Sequence, residues 1–204
     1  MAQSNPIQQR MEQLGEMWND TVKNADIKVV IIRVNKNDED MIEAFFDFML
    51  GVDTDIRDIA IQFQTPINEP ENFSRELVEE LASVVNEWNT ADKKAGFPFT
   101  AIHWTPDYSG PADKNTASLF VKNINSFTKQ LKLAKDVYVA PILFMYSSDA
   151  KKANDWIKNV IEAGQHPQIK ILVTDTIEEP IFNTSLEKYR GQVVLLEPEL
   201  NMPQ

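Results

Sequence analysis

The chain has no cysteine. That absence removes disulfides, thiolate nucleophiles and cysteine-ligated zinc together, and it speaks against a secreted, disulfide-stapled domain. Histidine is almost as scarce, with only His103 and His166. The six glycines include no G-x-x-x-x-G-K phosphate loop and no G-x-S-x-G nucleophile elbow. Positive charge is in deficit: 20 Lys and Arg stand against 31 Asp and Glu, for a net charge of −11 and a pI near 4.7. A nucleic-acid or anionic-membrane partner needs a basic face, so neither is expected. No apolar run approaches the ~18 residues of a membrane span. The N-terminal MAQSNPIQQRMEQL has neither the basic nor the apolar region of a signal peptide, and a cytoplasmic location is the expectation.

What remains is an ordinary globular composition, 43% hydrophobic and 25% charged, in 204 residues. That length is ample for a buried core and fits one domain. Its organising stretch is IKVVIIRVNKNDEDMIEAFFDFML, residues 27–50. Val29 to Ile32 is too short for a helix and rich in β-branched residues, so it reads as a strand buried on both faces. After an acidic turn from Asn35 to Asp40, Met41, Ile42, Ala44, Phe45, Phe48 and Met49 recur at helical spacing, and Gly51 stands where a helix ends in positive φ. Strand, tight loop and helix make the first half of a βαβ unit, whose loop holds phosphate in nucleotide-binding folds.

The pattern repeats along the chain. A helix is predicted over 6–23, a strand over DIAIQF (58–63), a non-regular loop over QTPINEPEN, and a helix from Ser74 to Trp88. Residues 89–115 form a long irregular insertion holding Phe97, Phe99, His103, Trp104 and Tyr108, with TAIHW (100–104) as a short strand. A helix capped by Asn115 or Thr116 follows. The strand DVYVAPILFMY (136–146) should bulge or bend at Pro141. Next come a helix capped by Ser148 or Asp149 and stopped at Gly164, the strand IKILVT (169–174), a short helix near 185–190, and the strand QVVLLE (192–197). Alternating buried strands and amphipathic helices imply an α/β three-layer sandwich, with a mainly parallel five-stranded sheet and helices on both faces.

Ligands in such folds bind beyond the carboxyl ends of the strands, where this sequence offers no recognisable chemistry. After the first strand Lys36 is followed by Asp38, Glu39 and Asp40, which would repel a triphosphate and already complement the helix N-terminus. A His103–Asp107 dyad lacks a nucleophile. Asp53, Asp55 and Asp58 crowd one loop, and Asp175, Glu178 and Glu179 another; neither has the regular alternation of a calcium loop. No catalytic, cofactor-binding or metal-ligating residue is assigned. The aromatics of the insertion, Phe97, Phe99, Trp104 and Tyr108, are the candidate contacts for a protein partner, since large amphipathic rings anchor interfaces. The competing reading makes them plugs that seat the insertion on the sheet.

The run of strands resembles the P-loop core of signalling NTPases of the STAND class across residues 25–203. IKVVIIRV is similar to the strand before the phosphate loop, DVYVAPILFMYSSD to the Walker B strand, IKILVTDT to the sensor strand and QVVLLEPELNMP to the last one. NKNDED replaces the glycine-rich lysine loop, and Tyr146 and Ser147 stand where the Walker B acids belong. The resemblance therefore implies an inactive STAND-like domain: a cofactor-free, non-catalytic interaction or scaffold module of a bacterial signalling or conflict system. The chain's end at NMPQ, directly after the closing strand, suits a domain cut from a longer protein. Two alternatives are a small-molecule-binding or hydrolytic α/β enzyme using residues 97–115, and a structural component of a bacterial assembly.

Overall fold

The strand Val29–Val34 (β1) is buried along its whole length because its side chains alternate between two apolar layers. In the computed structural model, which describes residues 6–51, 56–91, 100–109, 117–146 and 148–198, β1 lies in a parallel sheet. The other strands are Ile59–Phe63 (β2), Val139–Leu143 (β3), Ile171–Thr176 (β4) and Val193–Leu196 (β5), in the spatial order β2-β3-β4-β1-β5. Val30, Ile32 and Val34 face one layer, formed by the helices Pro6–Val22 (α1) and Glu39–Leu50 (α2); Trp18, Ile42, Phe45 and Phe46 fill it. Val29 and Ile31 face the other, formed by Pro70–Thr90 (α3), Ser118–Leu131 (α4) and Ala150–Glu162 (α5). There Phe63 meets Phe120 edge-on at 5.7 Å and Phe73 meets Trp156 at 5.3 Å. The short helix Asn183–Lys188 (α6) leads into β5. This is the expected three-layer α/β sandwich.

Several boundaries differ from the sequence reading. Helix α3 begins inside the loop taken as non-regular, because Pro70 occupies its first turn, where a missing N–H costs nothing. Gly51 is extended (φ −71°) and has no left-handed role, whereas Gly164, after α5, does adopt positive φ (80°). TAIHW contains no strand. Asp149 caps α5, accepting from Lys152 N–H at 2.9 Å. Residues 115 and 116 lie outside the described residues, as do Asp53 and Asp55. Asp58, grouped in the sequence with Asp53 and Asp55 in one crowded acidic loop, is half-buried, accepting from Trp18 Nε1 and Tyr138 N–H at 2.8 Å each.

Pro141 produces no bulge. Val139 donates to Gln168 O and accepts from Lys170 N–H, so odd-numbered residues of β3 turn their backbone groups to β4. The N–H that proline lacks would face β4, while the register with β2, Ile61 opposite Pro141, continues unbroken. Strand β4 runs two residues beyond its expected end, so Asp175 belongs to the sheet and not to the loop.

Candidate functional site

The carboxyl ends of the strands are closed by the chain's own carboxylates. After β1 the chain enters a 3₁₀ turn, Lys36–Asp38, that leads into α2. The Lys36 N–H, placed where a phosphate-binding amide would sit, donates to both oxygens of Glu178 at 3.2 Å, while Lys36 Nζ pairs with Glu179 at 3.3 Å. After β2, Glu80 of α3 accepts from Gln64 N–H at 2.6 Å, Thr65 N–H at 3.3 Å and the Thr65 hydroxyl at 2.9 Å. After β3 the carboxylate is Asp149. At the end of β4, Asp175 Oδ1 accepts from Thr176 N–H and Ile181 N–H at 3.0 Å each. Exposed backbone amides at strand ends and helix N-termini are what an anionic ligand uses.

Behind these plugs lies a buried ion pair. Arg33 of β1 stands directly opposite Asp175 in the parallel register. Its Nε and Nη2 donate to Asp175 Oδ2 at 2.9 and 2.8 Å, and Nη2 also donates to Asn183 Oδ1 at 2.8 Å. Glu197 approaches Nη1 at 3.5 Å from the surface. Asp175 is 1% exposed and Arg33 8%. Nothing in the sequence spacing tells which acid pairs with Arg33.

The rim of the site is acidic. Burial raises the Glu39 pKa; Lys36 opposes that, and Glu43, Glu178 and Asp40 add to it. Tyr146, near the end of β3 where the resemblance places a Walker B acid, has a buried hydroxyl beside Thr174. Burial first, then Glu39 and Glu43, push its pKa up, so it remains neutral and supplies no charge for a cation. Among the described residues no group of three His, Asp or Glu side chains is arranged to hold a metal ion.

The aromatic candidates separate. Residues 100–109 run as a strap between α3 and α4. Asn89 holds Ile102 at both backbone groups (2.8 and 2.9 Å), and Asn123 of α4 holds Asp107 likewise. Trp104 is 7% exposed, edge-on to Phe127 at 5.8 Å, with Nε1 donating to Ser126 Oγ at 2.9 Å; its ring is set in the core as a plug. Tyr108 is 40% exposed, and the Arg75 guanidinium lies 4.9 Å above its ring. Phe97 and Phe99 lie outside the described residues. His103 is exposed and not joined to Asp107. Lys122 and Ser109 hold the Asp107 carboxylate instead and lower its pKa to about 2. His166 is half-buried, its Nδ1 accepting from Gln168 N–H at 3.3 Å.

No family model and no curated protein matches this sequence. Among solved structures, the chain is similar to one in a structure of Drosophila ORC bound to AT-rich DNA and Cdc6, with a TM-score of 0.43 and 11% identity over 94% of this chain; it spans 56% of that chain's length. It is also similar to a chain of Drosophila ORC bound to DNA, with a TM-score of 0.41 and 10% identity, covering 94% of this chain and 92% of the other.

Proposed function

We propose that this chain is a nucleotide-independent protein-interaction or scaffold module: a single α/β domain with a degenerate P-loop-like sheet and an irregular insertion at 89–115. The observation that carries the reading is the Glu178 carboxylate on the Lys36 amide. A nucleotide phosphate would have to displace it and then face Asp38, Glu39 and Asp40 without a glycine nest or a free lysine. The resemblance to inactive STAND domains suggests a bacterial signalling or conflict system as the setting. Tyr108, backed by Arg75 and carried on the strap that Trp104 seats, is the proposed contact for the protein partner, with Phe97 and Phe99 beside it in sequence.

Nucleotide binding is tested by thermal melting and calorimetry with ATP or GTP and magnesium. No shift is expected at millimolar nucleotide. A ligand at about 100 times its Kd stabilises by about 2.7 kcal/mol, so a rise of several degrees overturns the reading.

A further inference from the structure

The sheet has two end strands, and they are not equivalent. Strand β5 is closed at its start, where the Val193 N–H donates to Tyr189 O of the turn before it. Strand β2 is open. Its Ile59 N–H donates to Tyr138 O, and the parallel register runs from Ile59 opposite Val139 to Phe63 opposite Leu143. The odd-numbered residues therefore turn their backbone groups to β3, and the N–H and C=O of Ala60 and Gln62 point off the edge of the sheet. Among the described residues nothing pairs with these four groups. Both residues are half-buried, which leaves their backbone to water. The open run stops at Gln64, whose N–H is held by Glu80.

Native sheets guard such an edge with lysine, proline or a bulge. Strand β2, IAIQF, has none of these. What flanks it is negative charge. On the α2 side the exposed Asp47 accepts from Gln62 Nε2 at 3.1 Å, and on the α3 side Glu80 sits at the end of the strand. Between these acids Ile59 and Ala60 are half-exposed, Ile59 packed against one apolar layer and Ala60 against the other. A strand laid along β2 would alternate its side chains between the same two faces. A second copy of this chain would bring its own Asp47 and Glu80, and a net charge of −11, against these acids, so charge selects a basic occupant.

We infer that the β2 edge takes an extended basic segment of a protein partner as an added strand, with main-chain bonds to Ala60 and Gln62 and with Lys or Arg side chains reaching Asp47 and Glu80. In strand addition the main-chain bonds supply affinity, and the alternate side chains supply selectivity. The inference rests on the interaction-module reading and gives it a second contact. The probes below touch only the edge, so their failure leaves the Tyr108 contact standing.

The test is an NMR titration of the full chain with the end-capped peptide Val-Lys-Val-Lys-Val. Amide shifts centred on Ala60 and Gln62 are expected, with slowed solvent exchange at both N–H groups. Val-Glu-Val-Glu-Val should bind about tenfold or more weaker, because its charges meet like charges. The lysine peptide N-methylated along its backbone should also bind about tenfold or more weaker, for want of donors. Ala60→Pro should weaken the lysine peptide about fivefold or more. Its melting temperature should be nearly unchanged, since the lost N–H bonds to nothing in the fold and an end strand accepts proline there. If Ala60→Pro fails to fold, the N-methylated peptide decides the matter on the parent chain. The inference is overturned by shifts absent from Ala60 and Gln62 at saturating peptide, by equal affinity for the acidic or the N-methylated peptide, or by a folded Ala60→Pro variant that binds as the parent does. A dimer of the chain alone with those two amides protected overturns it equally, because a second copy then holds the edge.

Discussion

Replacing Asp175 with alanine tests the closure of the strand ends at its most buried point. Asp175 Oδ2 takes Nε and Nη2 of Arg33, and Oδ1 takes the Thr176 and Ile181 amides. Truncation leaves a guanidinium that is 8% exposed with Asn183 and the more distant Glu197 as partners, and it orphans two backbone donors. Breaking one side of a buried ion pair costs about 3–5 kcal/mol, because the remaining charge stays desolvated. At roughly 2–4 °C per kcal/mol for a chain of this size, the melting temperature should fall by about 6–20 °C. Asp175→Ala combined with Arg33→Met removes the stranded charge, and the double variant should recover part of that loss, a coupling visible in a double-mutant cycle of urea unfolding. If Asp175→Ala melts within about 2 °C of the parent, or if the second substitution only adds to the damage, the pair is not the buried closure described above.

Ile31, fully buried in β1, should not tolerate Ile31→Asp, which places a charge among apolar side chains at a cost on the order of total stability; a cooperative melt within a few degrees of the parent would contradict the sheet assignment. Trp104→Ala should cost about 3–5 kcal/mol as a core truncation, and Tyr108→Ala should leave melting nearly unchanged while weakening the partner's binding about thirtyfold; melting curves and binding isotherms on both variants separate plug from anchor. Lys170, with no exposed surface, donates to Asn24 O at 2.9 Å and Ile27 O at 2.7 Å, and burial pushes its pKa down to about 8. Between there and the ordinary value of 10.5 the unfolded chain holds a proton that the folded chain has shed, so urea-derived stability should rise with pH across that window. Lys170→Met should flatten that rise, and an unchanged slope would show that another group is responsible.

The apolar runs of β1 and β4 and the helical spacings of α1, α2 and α5 were legible because burial on a regular element leaves a period in the sequence. What misled was polarity that burial had matched elsewhere. Thr174, Asp175 and Thr176 read as a strand end, yet Asp175 is buried against Arg33 and Thr174 Oγ1 accepts from Met145 N–H at 2.7 Å. Pro70 read as a breaker in a position where a helix accepts it. The closing carboxylates were out of reach for a different reason. Glu178 lies 142 residues from the amide it holds and Glu80 sixteen from Gln64, distances over which no spacing rule operates. Trp104 and Tyr108 have similar sequence surroundings and opposite burial: Trp104 is seated against Phe127 and Ser126 of α4, while Tyr108 stays at the surface over Arg75.

Pro141 has a mechanical consequence. Beside it β3 and β4 keep two registered pairs, Ile142 with Leu172 and Leu143 with Val173, and an isolated bridge from Val139 to Ile169. Strands β2 and β3 share five consecutive pairs, and β1 and β4 six. The sheet is therefore a two-stranded and a three-stranded block sewn along a line short of one stitch. That line is held mainly by side chains of the two apolar layers, together with the Thr174 hydroxyl on Met145. A force or a fluctuation that parts the sheet should run along it, leaving each block hydrogen-bonded within itself, so amides that cross from β3 to β4 should exchange with solvent before those inside either block.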